Sequence, residues 1–137
     1  MEVKVGDEIP EWVMESVSAP RMATMAAILR DPNPLHWDRD AVDKGGWGLG
    51  RRTINQGPLD LSYMINMLHC WSGENSIRHI KMTFPMPLVV DGDRVVAKGV
   101  VTAVNQDKEG QLAECHIWLD RDGTTLLDGT ARVLIPA

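Results

Sequence analysis

Cysteine, tyrosine and phenylalanine are scarce in this chain, at two, one and one among 137 residues. Two cysteines without a CxxC spacing cannot build a disulfide framework or a thiolate metal site. Cys70 and Cys115 lie in apolar stretches and are expected as buried, reduced thiols, which points to a cytoplasmic protein. No apolar run approaches the ~20 residues that a membrane-spanning helix requires. The opening Met1 to Glu8 has no apolar core of the kind a signal peptide carries, so no membrane partner is expected. Positive charge is short as well. Fourteen Lys and Arg stand against nineteen Asp and Glu, a formal net charge of -5. With no basic run on any segment, this balance argues against nucleic acid. Repeats, low-complexity tracts and linkers are missing too. At 44% hydrophobic, what remains is a globular chain expected to form one domain over 1–137.

The chain reads from its N-terminus as a short strand, a Gly6-Asp7 turn and a second extended piece, up to Val17. Ser18 is placed to cap a helix with Pro20 in its first turn. Met22, Met25, Ala26 and Leu29 form its apolar stripe, and Pro32 and Pro34 stop it. Asp38 caps a short helix over 39–44, ended by Gly45-Gly46. The glycine-rich segment 45–52 lacks the G-x-G-x-x-G spacing of a dinucleotide site and reads as a flap or irregular connection. Gly57-Pro58 opens the principal helix, which runs to about Trp71. Its apolar residues cover most of the circumference, so the helix is expected to be buried.

Four strands are expected after that helix. In the first, Ile80, Met82, Phe84 and Met86 alternate with polar positions, and Pro85 marks an edge or bulge. The others are Arg94 to Val104, Gln111 to Asp120 and Thr125 to Ile135, with turns at Asp91-Gly92-Asp93 and Asp122-Gly123. One buried helix followed by consecutive antiparallel strands is an α+β arrangement, a sheet wrapped around a helix.

The segment Asp31-Pro32-Asn33-Pro34-Leu35-His36 carries the chemistry. Proline presets its own φ and pushes the preceding residue out of the helical region, so this loop is stiff for local reasons. A carboxylate and an imidazole on one stiff loop can share one water, which suits proton transfer on a small substrate. The plain alternative is a turn with a capping aspartate and a surface histidine.

With the buried helix and the wrapping sheet, this loop resembles the MaoC-like hotdog family, which includes (R)-specific enoyl-CoA hydratases and acyl dehydratases. The resemblance extends over most of the chain. The family's hydratase motif falls on Asp31, Asn33, Pro34, Leu35 and His36, followed by Asp38, Ala41 and the glycine loop. It implies a single hotdog that reversibly adds water to a trans-2-enoyl thioester. Its catalytic acid–base pair falls on Asp31 and His36, and the glycine whose backbone N–H polarises the thioester carbonyl falls on Gly57. A helix N-terminus offers unpaired N–H groups and partial positive charge, which suits that role on physical grounds as well. The sequence departs from the family at two places: Arg30 replaces a glycine before the aspartate, and Gln56 replaces a histidine before Gly57. Ile54-Asn55, Leu59, Tyr63 and Trp71-Ser72-Gly73, with Asp38-Arg39-Asp40 upstream, resemble more loosely a subgroup of single hotdogs from actinobacterial steroid side-chain breakdown.

The remaining assignments draw on the resemblance and on the residues themselves. Asp31 is favoured as the base and His36 as the proton donor. Asn33 holds the loop or the water, or serves only as an Asx-turn residue. Gln56, Trp47 and Ser62 are candidates for substrate contact, with Trp47 as a flap; Ser62 has the alternative of bonding back to its own helix. Arg51, Arg52, Arg78 and Lys81 either meet the phosphates of coenzyme A or are solvated surface charge. Asp60 is expected to complement the helix dipole. His69, His79 and His116 show no metal-ligand spacing, so no metal is expected. No cofactor is expected either, the coenzyme A thioester being the substrate. A single hotdog leaves part of its surface to be covered, so a homodimer or higher oligomer is expected, or a hetero-oligomer with another hotdog chain. Two further functions compete: an acyl-CoA thioesterase using Asp60, and a non-catalytic subunit of a heteromeric hydratase.

Overall fold

The computed structural model describes residues 1–84 and 87–137. Strand β1 (Glu8–Met14) is followed by helix α1 (Ala19–Leu29), a 3-10 turn (Pro34–His36), helix α2 (Arg39–Lys44) and helix α3 (Gly57–Ser72). Strands β2 (Ile77–Thr83), β3 (Val95–Asp107), β4 (Gly110–Arg121) and β5 (Thr124–Pro136) complete the chain. The five strands form one antiparallel sheet in the order β1-β3-β4-β5-β2. The α+β architecture of the hotdog is therefore what the chain adopts.

Local chemistry accounts for most boundaries. The Ser18 hydroxyl accepts from the Arg21 N–H and opens α1, and the Asp38 carboxylate accepts from the Asp40 and Ala41 N–H groups and opens α2. Asp122 and Gly123 both have positive φ, 51° and 84°, the conformation that a two-residue hairpin between twisted strands demands. Before β1 the expected first strand is missing. Residues Lys4 to Asp7 close a turn instead, and Val3 bonds through its backbone to the Gln111 side chain. Strand β2 lies at the sheet edge, as the nearby proline suggested, but Pro85 and Met86 themselves lie outside the described residues.

Along β4, Ala113, Cys115, Ile117 and Leu119 face inward and are buried against α3, as their period-2 spacing required. Helix α3 corrects a broader expectation. It buries Asp60, Tyr63, Met64, Met67 and Leu68 along one side, while Asn66 and Cys70 are exposed and Leu61 and Ile65 only half-buried. A five-stranded sheet curls around one side of a helix, so apolar residues on the far side stay open in a single chain. Cys70 is consequently an exposed thiol, whereas Cys115 is buried and its pKa is pushed up to about 12 by desolvation. Among the described residues no helix is long and apolar enough to cross a membrane.

Arg30 closes α1 in the left-handed conformation, with φ 52° and ψ 40°. This is the position where the resembled family carries glycine, and the backbone explains the preference: left-handed geometry penalises a Cβ. Arg30→Gly should therefore raise stability by about 0.5–1 kcal/mol, the strain relieved less the extra freedom glycine gives the unfolded chain. Thermal melting checks this, and an unchanged or lower melting temperature would contradict it.

Candidate active site

Backbone bonds bring the loop from Asp31 to His36 to the approach of α3. The Asn33 side chain accepts from the Leu35 N–H at 3.1 Å and starts the 3-10 turn that ends at His36. Asp31 is held at one carboxylate oxygen and turns the other towards the histidine. Its Oδ1 accepts from the Asn33 N–H at 3.0 Å, and its Oδ2 faces His36 Nε2 at 3.5 Å. The Leu35 carbonyl accepts from the Ile54 N–H at 2.8 Å, and the Ile54 carbonyl lies 2.7 Å from His36 Nδ1. A carbonyl only accepts, so His36 Nδ1 carries the hydrogen and Nε2 is the nitrogen left to face Asp31. The separation of 3.5 Å is too long for a strong direct hydrogen bond. It leaves a carboxylate and an imidazole nitrogen side by side, both able to bind the same water.

Three residues after Ile54, α3 begins at Gly57. The three preceding helical segments have side-chain caps at Ser18, Asn33 and Asp38, whereas α3 has none. Pro58, in the first turn, has no N–H to offer. The Gly57 N–H therefore has no acceptor among the described residues, at a helix end that carries partial positive charge. Three residues of chain span at most ~10 Å, which bounds the separation of Gly57 from Ile54, the residue whose carbonyl meets the imidazole. A Cβ at Gly57 would rest 3.4 Å from the Phe84 ring, which is 54% exposed. Ile28, Leu29 and Trp37, close to the loop in sequence, are exposed apolar side chains too.

The other expected contacts are distributed differently. Gln56 is buried and donates through Nε2 to the Met22 carbonyl at 2.7 Å, tying α1 to the start of α3. Its Oε1, like Oδ1 of Asn55, is buried without a partner among the described residues. The Ser62 hydroxyl donates back to the Leu59 carbonyl at 2.6 Å. Trp47 lines a hollow of about 310 Å³ with Leu49, Arg52 and Leu88, and neither Asp31 nor His36 is part of that lining. Asp60 is 5% exposed and accepts from Asn55 Nδ2 at 2.7 Å. Desolvation raises its pKa to about 7, outweighing the Asn55 hydrogen bond. Burial, not the helix dipole, dominates this carboxyl.

Sequence reasoning missed Ile54 and Phe84 as parts of this region. Ile54 acts through a backbone carbonyl, which no side-chain pattern reports. Phe84 was visible only as one apolar position of a strand.

The fold has counterparts among solved structures. The (R)-hydratase from A. caviae involved in PHA biosynthesis superposes with a TM-score of 0.81 at 27% identity, covering 98% of both chains. The chain shares the hotdog fold of this (R)-hydratase. The ChsH1-ChsH2 complex from Mycobacterium tuberculosis matches the hotdog with a TM-score of 0.78 at 21% identity, over 98% of this chain and 99% of that one. The MaoC-like dehydratase from Rhodospirillum rubrum gives 0.79 at 19% identity, over 98% and 93%. No protein-family model matches the hotdog's sequence, and no curated protein does. The fold is thus shared at 19–27% sequence identity.

Proposed function

We propose that this chain is a hydro-lyase that reversibly adds water to a trans-2-enoyl-CoA thioester, giving the 3-hydroxyacyl-CoA. The observation that carries the reading is the facing of Asp31 Oδ2 and His36 Nε2 at 3.5 Å, with Nδ1 turned to the Ile54 carbonyl. In the hydration direction His36 starts as the imidazolium. Asp31 takes one proton from the water as the water oxygen bonds to C3 of the substrate. The double-bond electrons move towards the thioester oxygen, and the Gly57 N–H stabilises the enolate that develops. His36 Nε2 then delivers its proton to C2. A proton passing from Asp31 Oδ2 to His36 Nε2 resets the pair.

The open side of α3 and the exposed Ile28, Leu29, Trp37 and Phe84 support a second hotdog chain covering the site and walling the acyl tunnel. A homodimer meets that need, and so does a different hotdog chain, since ChsH1-ChsH2 is a complex of two named components. The reading extends to a bulky acyl group, such as a shortened steroid side chain, on the looser resemblance carried by Ile54-Asn55, Leu59, Tyr63 and Trp71-Ser72-Gly73. The thioesterase reading lacks support, because hydrolysis needs a carboxylate reachable by water and Asp60 is closed off.

The test is the purified chain with crotonyl-CoA and with long-chain and steroid-like enoyl-CoAs, followed by loss of enoyl absorbance. Hydration of any of them is the expected result. Release of free CoA from saturated acyl-CoA without hydration would replace this reading with the thioesterase.

A further inference from the structure

The hollow beside the glycine-rich loop plays no part in the hydration chemistry. Its floor is Val90, 1% exposed, and one wall is Trp47, 47% exposed. The loop makes a seat for the indole. A Cβ on Gly45 would come within 2.8 Å of Trp47 Cδ1, so the bare glycine leaves room for the ring.

Two arginines reach the hollow, and they differ in charge balance. Arg121 is paired with the Asp93 carboxylate and also donates to the Leu88 carbonyl at 3.1 Å. Arg52 donates through Nε to the Leu49 carbonyl at 3.1 Å, which steadies its stem. Its two terminal nitrogens have no acidic partner among the described residues. Arg39, Arg51 and Arg78 are each paired, with Asp91, Asp40 and Glu109. The hollow therefore combines an open indole face with an unneutralised guanidinium, in a chain of net charge -5. Such a pair recognises an aromatic ring that carries phosphate.

Position supports the same class of ligand. Val90 forms a bridge with Ile54, the residue whose carbonyl holds His36. Bridged residues lie about 5 Å apart, which puts the floor of the hollow on the order of 10 Å from the catalytic imidazole. The pantetheine arm of coenzyme A is flexible and longer than that gap. We propose that the Trp47–Arg52 hollow binds the phosphorylated adenosine end of the acyl-CoA substrate, with the base on the indole and a phosphate on Arg52. This inference rests on the reading of the substrate as a CoA thioester.

Calorimetric titration with adenosine 3′,5′-bisphosphate tests it without turnover. The wild-type chain should bind the bisphosphate, with Trp47→Ala and Arg52→Ala each weakening it about tenfold and Trp47→Phe restoring most of the loss. No binding by the wild type, binding indifferent to both substitutions, or inorganic phosphate binding as tightly as the bisphosphate would each overturn the proposal. In turnover, both alanine variants should raise KM for crotonyl-CoA and keep kcat. They should leave the N-acetylcysteamine thioester of crotonate, which has no nucleotide, unaffected. Equal losses on both thioesters would also overturn it. A wild-type chain inactive on both thioesters would sink the hydratase reading, while the calorimetry would still decide the nucleotide site.

Discussion

Turnover of an enoyl-CoA should fall by about two to four orders of magnitude in Asp31→Asn and in His36→Gln, with little change in KM. Each substitution removes a proton-transfer group while keeping nearly the same outline. In the first, the new amide still offers an oxygen to the Asn33 N–H; in the second, the new amide can still donate towards the Ile54 carbonyl. The bonds that shape the loop therefore have replacements. The melting temperatures should stay close to the wild type, which separates lost chemistry from lost fold. The two effects should also fail to add, because the residues work on one water as a unit. The double variant is expected to be no slower than the worse single variant by more than a small factor. Near-normal hydration of crotonyl-CoA by either single variant would end the assignment of this pair.

A second large effect concerns stability. Asp60 has its pKa raised from 3.8 to about 7 by burial. Between those values the folded chain holds a proton that the unfolded chain has released. Stability contributed by the neutral carboxyl is thus intact below about pH 4, declines as pH rises, and is fully lost above about pH 7. A shift of this size corresponds to roughly 4 kcal/mol at pH 8. Asp60→Asn is isosteric, keeps an acceptor for Asn55 Nδ2 and cannot ionise. It should be more stable than the wild type by a few kcal/mol at pH 8, with the gap closing towards pH 4. Denaturant unfolding at the two pH values measures this directly. A pH-independent difference between variant and wild type, or a less stable variant at pH 8, would show that the carboxylate is accommodated in its charged form.

Much of the architecture was legible because its causes are local. Ser18 and Asp38 announced their helices through short side chains that accept backbone N–H groups, and Asp122-Gly123 announced its hairpin through two positive φ angles. The inward face of β4 followed from a strict alternation that a strand must obey. The principal helix was only half legible. Its composition announced an apolar cylinder, but which arc of that cylinder the chain buries depends on how far the sheet curls, and Leu61, Ile65 and Asn66 stayed outside. The missing strand before the Gly6-Asp7 turn has a similar cause. Val3 is buried by bonding to Gln111, a residue 108 positions away, not by pairing in a ladder.

The site divides along the same line. The sequence by itself determined the loop with its aspartate and histidine, since prolines and an Asx turn shape it within six residues. It also determined that a glycine opens the long helix. Only the tertiary structure decided that Ile54 orients the imidazole, that Gln56 turns inward to Met22 and that Trp47 stands at a hollow of its own. Those outcomes rest on backbone carbonyls and on packing between segments far apart in the chain, and neither leaves a mark in the order of side chains.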